Sequence, residues 1–317
     1  RCIHIPSSMN EVQAAVRTLK YAEFLRFFTA IQLMRSTEGI RITKKPKIFS
    51  SKKIQQAIQS LSFEMTADQR DTLEKILYDM GSTHSMYRLV QGDVGCGKTV
   101  VATLALYAAF LSGYQAAMLA PTEILARQHY QSVNEVLAPF GVKTEVLYSA
   151  LSSAKKKEIL EDVSSGKIDI LIGTHSMIQD SVSFHNLGLT IADEQQRFGV
   201  AQRKSLKQKG EQVDFLLMSA TPIPRTLAAS LFGDMDVSTI ETMPLGRITP
   251  VTTLVKENSF RTVLDDVKSL LVSGRQLYVI CAAVDENEEY HARNVYDTME
   301  SIQKLFPQYK VACLHGR

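Results

Sequence analysis

The stretch "YRLVQGDVGCGKT" (87–99) decides the fold: a short apolar run, a glycine-rich octet, and then Lys98 and Thr99 opening a helical pattern. The octet "GDVGCGKT" (92–99) fits G-x-x-x-x-G-K-[ST], and strand–loop–helix placement is the context in which that pattern forms a phosphate cradle. Gly92, Gly95 and Gly97, with Asp93, Val94 and Cys96 between them, let the backbone curl until its N–H groups face inward. The N-terminus of the following helix adds partial positive charge. Lys98 is expected to reach the β- and γ-phosphates of a nucleotide, and the Thr99 hydroxyl to ligate Mg²⁺, so ATP and Mg²⁺ are the expected cofactors. An ordinary glycine turn is the alternative. The helix N-terminus and Lys98 would lower the pKa of Cys96, whereas the plainer reading is a small side chain that fits.

Outward from this loop, short apolar runs alternate with helical stretches. Strands are expected at 87–91, 115–121, 143–149, 169–174, 189–194 and 214–221, with helices in the gaps, several ending at a glycine (Gly113, Gly141, Gly166, Gly233). Fully apolar strands alternating with helices predict an α/β fold, a parallel sheet covered on both faces. Met118, Met177, Met218 and Phe215 are assigned to its core.

Residues 10–36 carry Val12, Val16, Leu19, Phe27, Ile31 and Met34 at helical spacing, which predicts one long amphipathic helix with Asn10 as N-cap. "GIRITKKPKIFSSKK" (39–53) has six basic residues, no acid and a proline, and reads as a linker able to graze a phosphate backbone. "MPLGRITP" (243–250) reads as an interdomain linker, after which strands at 251–256, 276–282 and 310–316 and helices at 260–273 and 286–305 restart the rhythm. The expected organisation is an N-terminal helix and linker (1–60), a nucleotide-binding domain (61–245) and the start of a second, truncated domain (246–317).

Asp193 and Glu194 end an apolar strand downstream of the loop, in "LTIADEQQRFGVAQR" (189–203). Ligands of open α/β sheets gather at the carboxyl ends of strands. Asp193 is therefore expected to hold Mg²⁺ through water, and Glu194 to orient and deprotonate an attacking water. Taken alone, the pair also fits a solvated acidic turn.

Bulk composition agrees with this reading. The 317 residues are 45% hydrophobic, and no apolar run approaches the length a bilayer requires. "RCIHIPSSMN" (1–10), with a short apolar run that a proline interrupts, is not expected to act as a signal peptide. Four scattered cysteines (Cys2, Cys96, Cys281, Cys313) form no zinc or disulfide spacing, which fits a reducing cytoplasm without membrane attachment. Net charge is +3, yet residues 1–60 hold 11 Lys/Arg against 3 Asp/Glu. That excess points to a nearby polyanion or, more plainly, to a solvated helix and linker.

The ordered set "FEMTADQR" (63–70), "LVQGDVGCGKT" (89–99), "APTEILARQH" (120–129), "IGTHSMIQD" (172–180), "DEQQRFGVAQR" (193–203), "MSATPIPRTLA" (218–228), "GRITPVTT" (246–253) and "LHGR" (314–317) resembles superfamily two helicases and translocases, and within them the RecG-type branch-migration enzymes. Mfd-like transcription-repair motors share several of these runs, but tend to carry a glutamate at the place of Gln195 and lack the "IHIP" entry. The resemblance implies RecA-like motor domains and an ATP-dependent motor, a monomer, remodelling branched or duplex DNA in the bacterial cytoplasm and nucleoid. It implies that Gln69 reads the adenine edge. Thr122, Glu123, Gln128, Gly173 and Thr174 would contact one DNA strand, although Thr122 also suits a helix cap. It further implies that Ser219, Ala220 and Thr221 couple nucleotide state to DNA grip, with Arg203 and Arg225 either in that relay or in structural ion pairs.

Two departures stand out. Gln196 occupies a place where the family usually carries histidine; it can hydrogen-bond to Ser219 or Thr221 but cannot carry charge. The later family motifs, including an arginine finger, and the preceding wedge domain are absent, so the segment alone is expected to bind ATP yet hydrolyse it feebly and not unwind DNA. The rival from another class is a nucleotide-binding switch that does not translocate, against which Glu194 argues. An RNA helicase is disfavoured by "DEQQRFG" (193–199).

Overall fold

Among the described residues seven parallel strands form one sheet in the order β3-β4-β2-β5-β6-β1-β7. The strands are β1 (Tyr87–Gly92), β2 (Gln115–Leu119), β3 (Thr144–Leu147), β4 (Ile170–Gly173), β5 (Leu187–Ala192), β6 (Asp214–Ser219) and β7 (Asp236–Ile240). This computed structural model describes residues 7–38, 43–179, 181–193, 213–221, 235–244, 250–255, 261–283 and 294–315. The chain divides into two compact units, 1–247 and 248–317, and the sheet lies in the first. Among the described residues no helix is long and apolar enough to cross a membrane.

Strand side chains alternate between two cores. Val90, Ala116, Met118, Ile170, Ile172, Leu189, Ile191, Leu216 and Met218 face one apolar layer; Leu89, Ala117, Leu119, Leu171, Leu187, Phe215 and Leu217 face the other. Every residue of β2, β4, β5 and β6 is buried, as strands covered on both faces require. Met118, Met177, Met218 and Phe215 are all core residues.

The helices are α1 (Met9–Glu38), α2 (Ser51–Gln59), α3 (Ala67–Met80), α4 (Lys98–Leu111), α5 (Glu123–Leu137) and α6 (Ser153–Ser164). Sequence-local capping sets their starts. Ser50, Thr66, Thr122 and Ser152 each accept a first-turn N–H through the side chain. Gly113, Gly141 and Gly166 leave their helices at positive φ, which favours glycine.

The structure differs from the sequence expectation in five places. The start of α1 is capped by Ser8, whose Oγ accepts the Glu11 N–H at 3.3 Å, in place of Asn10. No described residue of α1 is buried. Its apolar stripe leaves Leu19 54% and Phe27 46% exposed, with Phe27 edge-on to Phe28 at 5.9 Å. The basic stretch 39–53 runs without helix or strand over 43–50 and is mostly exposed, but two of its lysines are not solvated. Ser51–Lys53 start α2, and Lys44 and Lys47 are 3% exposed. Residues 43–47 run beside the α3–β1 connection, with the Lys44 N–H donating to Thr83 O and the Lys47 N–H to Met80 O.

The third difference is the gap between β4 and β5, where a helix is expected and the described residues form a 3₁₀ turn (His175–Ile178). Fourth, β7 joins the sheet edge beside β1; its sequence "DVSTI" is half-exposed and too polar to announce a strand. Fifth, the second unit contains α7 (Arg261–Val272) and α8 (Val295–Leu305), but none of its described residues forms a ladder at 251–256, 276–282 or 310–316. Tyr278 and Ile280 are 84% and 95% exposed, so the apolar run at 276–282 has no covering layer among the described residues.

Candidate nucleotide site

Three neighbouring strands, β5, β6 and β1, bring the expected site residues to one end of the sheet. Parallel pairing aligns Gln91 with Ser219 and Ala192 with Leu217. The loop 93–97 leaves β1, Asp193 follows β5, and Ser219 ends β6 between them.

The loop curls as its glycines require. Gly95 and Gly97 adopt φ of 81° and 89°, and a Cβ on Gly97 would stand 2.2 Å from Gln69 Nε2. Gly92 has no room for a Cβ either, which would meet both Cys96 Sγ and Ile240 O at 2.6 Å. Helix α4 starts at Lys98 without a side-chain cap on its first turn, in contrast to the capped helices α2, α3, α5 and α6. The Lys98 ammonium folds over the loop, donating to Gly92 O at 2.7 Å and Asp93 O at 3.1 Å. Asp93, Val94 and Gly95 are exposed, Thr99 is half-buried, and Cys96 is fully buried 3.9 Å from Lys98 Nζ.

Gln69 is fully buried against the loop. Its Nε2 donates to Cys96 O at 2.7 Å, and its Oε1 accepts the Thr66 N–H at 2.9 Å as one half of a capping box. The amide thus braces the phosphate loop and the start of α3 at once. Next to it, Asp68 Oδ2 accepts from the Thr242 hydroxyl and N–H, both at 2.7 Å, and from the Glu241 N–H at 3.0 Å. The Thr242 hydroxyl, then its N–H, hold the Asp68 carboxyl below its ordinary pKa.

Asp193 is tied at both ends to β2 and the helix that follows it. Its N–H donates to Leu119 O at 2.9 Å, and its Oδ2 lies 2.8 Å from His129 Nε2 on α5. His129 was not singled out from the sequence; its signal was its place as the last residue of "APTEILARQH" (120–129). Ser219 is buried, and its Oγ accepts the Thr221 N–H at 3.2 Å and meets Thr221 Oγ1 at 3.0 Å, closing a tight turn around Ala220. Glu194, Gln195, Gln196, Arg203 and Arg225 lie outside the described residues.

The residues assigned by resemblance to DNA contact cluster at the carboxyl ends of β2 and β4. Thr122 caps α5 through the Leu125 N–H at 3.3 Å. Glu123 pairs with Arg127 at 2.8 Å, and Gln128 is exposed. Gly173 lets Leu147 O and Met177 approach, since a Cβ there would sit 2.3 Å from that oxygen. The Thr174 N–H donates to Leu147 O at 3.2 Å.

A second electrostatic centre lies where β6 begins. Lys44 Nζ donates to both Asp214 oxygens, at 2.7 and 2.6 Å, and to the carbonyls of Asp79 and Met80. Lys47 Nζ reaches the same carboxylate at 2.7 Å, and the Met86 N–H donates to it at 2.6 Å. Burial pulls the Lys44 pKa below its ordinary value, opposed by Asp214.

The donor set suits a nucleotide with a hard cation: an uncapped helix start, an ammonium, the Thr99 hydroxyl and the Asp193 carboxylate offer N–H groups to phosphate and oxygen ligands to Mg²⁺. The sequence profile of the DEAD/DEAH box helicases matches residues 56–230. The chain is similar to "ATP-dependent DNA helicase RecG" of Bacillus subtilis (43% identical over the whole chain) and of Borreliella burgdorferi (38% identical over 99% of it). It spans about half the length of these curated relatives, 47% and 46% respectively. A solved structure of RecG bound to a three-way DNA junction superposes with a TM-score of 0.78 at 36% identity, covering 96% of this chain and 40% of that one.

Proposed function

Because the chain belongs to the DEAD/DEAH box helicases, we propose that it is the nucleotide-binding motor segment of an ATP-dependent DNA helicase or translocase of RecG type. The proposed cofactors are ATP and Mg²⁺. The proposed partner is branched or duplex DNA in the bacterial cytoplasm, where the parent protein, as a monomer, would drive branch migration and remodel stalled forks and Holliday junctions. Residues 61–245 are assigned to a first RecA-like domain, 246–317 to the start of a second, and 1–60 to the connection that precedes them.

The observation that carries this reading is the side-by-side placement of the glycine loop, Ser219 and Asp193 on β1, β6 and β5. Lys98 and the α4 N-terminus bind the phosphates, while Gln69, fully buried with both ends of its amide engaged by Cys96 and Thr66, holds the loop in place of the expected contact to the adenine edge. Thr99 and Asp193 would hold Mg²⁺, which when bound would supply charge neutralisation to the phosphates. Glu194 takes the proton of the attacking water. Ser219 and Thr221, with Gln196, Arg203 and Arg225, pass the state of this site to the residues that grip DNA: Thr122, Glu123, Gln128, Gly173 and Thr174.

The test is the ATPase rate of the intact parent protein with a three-way DNA junction, linear duplex or RNA. Junction DNA should stimulate hydrolysis most, and Glu194→Gln should abolish it with binding of ATP retained. Equal rates with and without any DNA would sink the motor reading in favour of a nucleotide switch.

A further inference from the structure

We propose that His129 is a positioning residue for the metal-anchoring carboxylate, and that through it α5 sets the metal affinity of the nucleotide site. The proposal rests on the nucleotide reading of the loop and of Asp193 and goes beyond it, because it assigns a role to a side chain outside the loop and the acidic pair.

Three observations carry it. The first is the contact itself, His129 Nε2 to Asp193 Oδ2 at 2.8 Å, with the two side chains only 9% and 14% exposed. An ionised carboxylate offers acceptors alone, which places the shared proton on Nε2 and makes His129 the donor. The bond fixes one oxygen and so sets the direction in which the rest of the carboxylate points.

The second is the double tether. The Asp193 main chain is bonded to Leu119 at the end of β2, and its side chain to α5, the helix that β2 leads into. Asp193 stands just past β5, at a strand end where the main-chain ladder no longer constrains the side chain.

The third is the cost of placing an imidazole there. His129 shares the inward face of α5 with Ala126, Val133 and Leu137, all fully buried. An aliphatic residue would suit that face as packing, and a buried polar ring is tolerated only with a partner. Asp193 is the partner that the structure provides.

Metal sites depend on the groups that orient their ligands, and losing such a group typically costs about 10–100-fold in metal affinity. The experiment uses a fluorescent ATP analogue and the full chain, titrated with Mn²⁺ at fixed nucleotide, and repeated in excess chelator. His129→Leu keeps bulk and burial but removes the donor; His129→Gln keeps an N–H donor.

His129→Leu should raise the Mn²⁺ concentration for half-saturation by about 10–100-fold, leave affinity in chelator unchanged, and be largely rescued by His129→Gln. The inference is overturned if the Mn²⁺ midpoint of His129→Leu matches the wild type. It is equally overturned if His129→Gln fails to rescue, or if affinity in chelator falls as far as affinity with metal, since each marks packing alone. If the wild-type chain bound no nucleotide under either condition, the nucleotide reading itself would fall, and this inference with it.

Discussion

Lys44 Nζ lies 2.6 Å from Asp214 Oδ2, both side chains fully buried, and joins residues 170 apart in the chain. With Lys47 on the same carboxylate, one anion holds two buried ammonium groups. Removing one member of a buried ionic cluster leaves uncompensated charge and costs about 3–5 kcal/mol. Asp214→Asn keeps an acceptor for the Met86 N–H while removing the charge, and should lower stability by that amount. The urea midpoint of unfolding is the measurement; an unchanged midpoint would show the cluster to be energetically neutral.

The Asp68–Thr242 contact carries a pH signature. The folded-state pKa of Asp68 lies below its ordinary 3.8, so its contribution to stability is present above that pH and is lost as pH falls through the lower folded value. Thr242→Val deletes the hydroxyl donor and leaves the two N–H donors. At neutral pH it should cost about 1 kcal/mol, the worth of one hydrogen bond. The gap between variant and wild type should close in acid, which unfolding curves at several pH values would reveal.

Lys98→Ala should cost about 10–100-fold in ATP affinity, since a charge-assisted hydrogen bond contributes about 1.5–3 kcal/mol. Its present partners are the loop carbonyls Gly92 O and Asp93 O, which other donors can satisfy, so the melting temperature should move little. Isothermal titration with ATP, paired with a thermal melt, separates the two effects.

Gly173→Ala tests the close approach at the end of β4. The added Cβ would stand 2.3 Å from Leu147 O and 2.7 Å from Met177 Sδ. Overpacking of this kind costs about 1–3 kcal/mol. Thermal denaturation should register that loss whether or not DNA binding is also affected.

Much of this could be read from the chain beforehand, because the decisive signals are local. The glycine loop needs left-handed residues at fixed spacing, and each strand buried on both faces must be apolar along its length. What escaped notice depends on tertiary partners. Lys44 and Lys47 look like solvated charge until Asp214 is folded against them. His129 reads as one polar residue on a helix until β5 delivers Asp193. The edge strand β7 is half-polar because one flank has no neighbour, so no apolar run betrays it. Conversely, the apolar run at 276–282 in the second unit reads as a strand, yet its described residues join no ladder.

The position of β1 has a consequence in time. Its sheet neighbours are β6 and β7, so the strand that carries the phosphate loop has no partner until residues 214–240 exist. Strands β2, β3 and β4 can pair among themselves long before that. At ribosomal speeds of about 5–20 residues per second, the interval is on the order of ten seconds. A nascent chain therefore has a growing half-sheet but no working cradle, and the part made early is the part completed last.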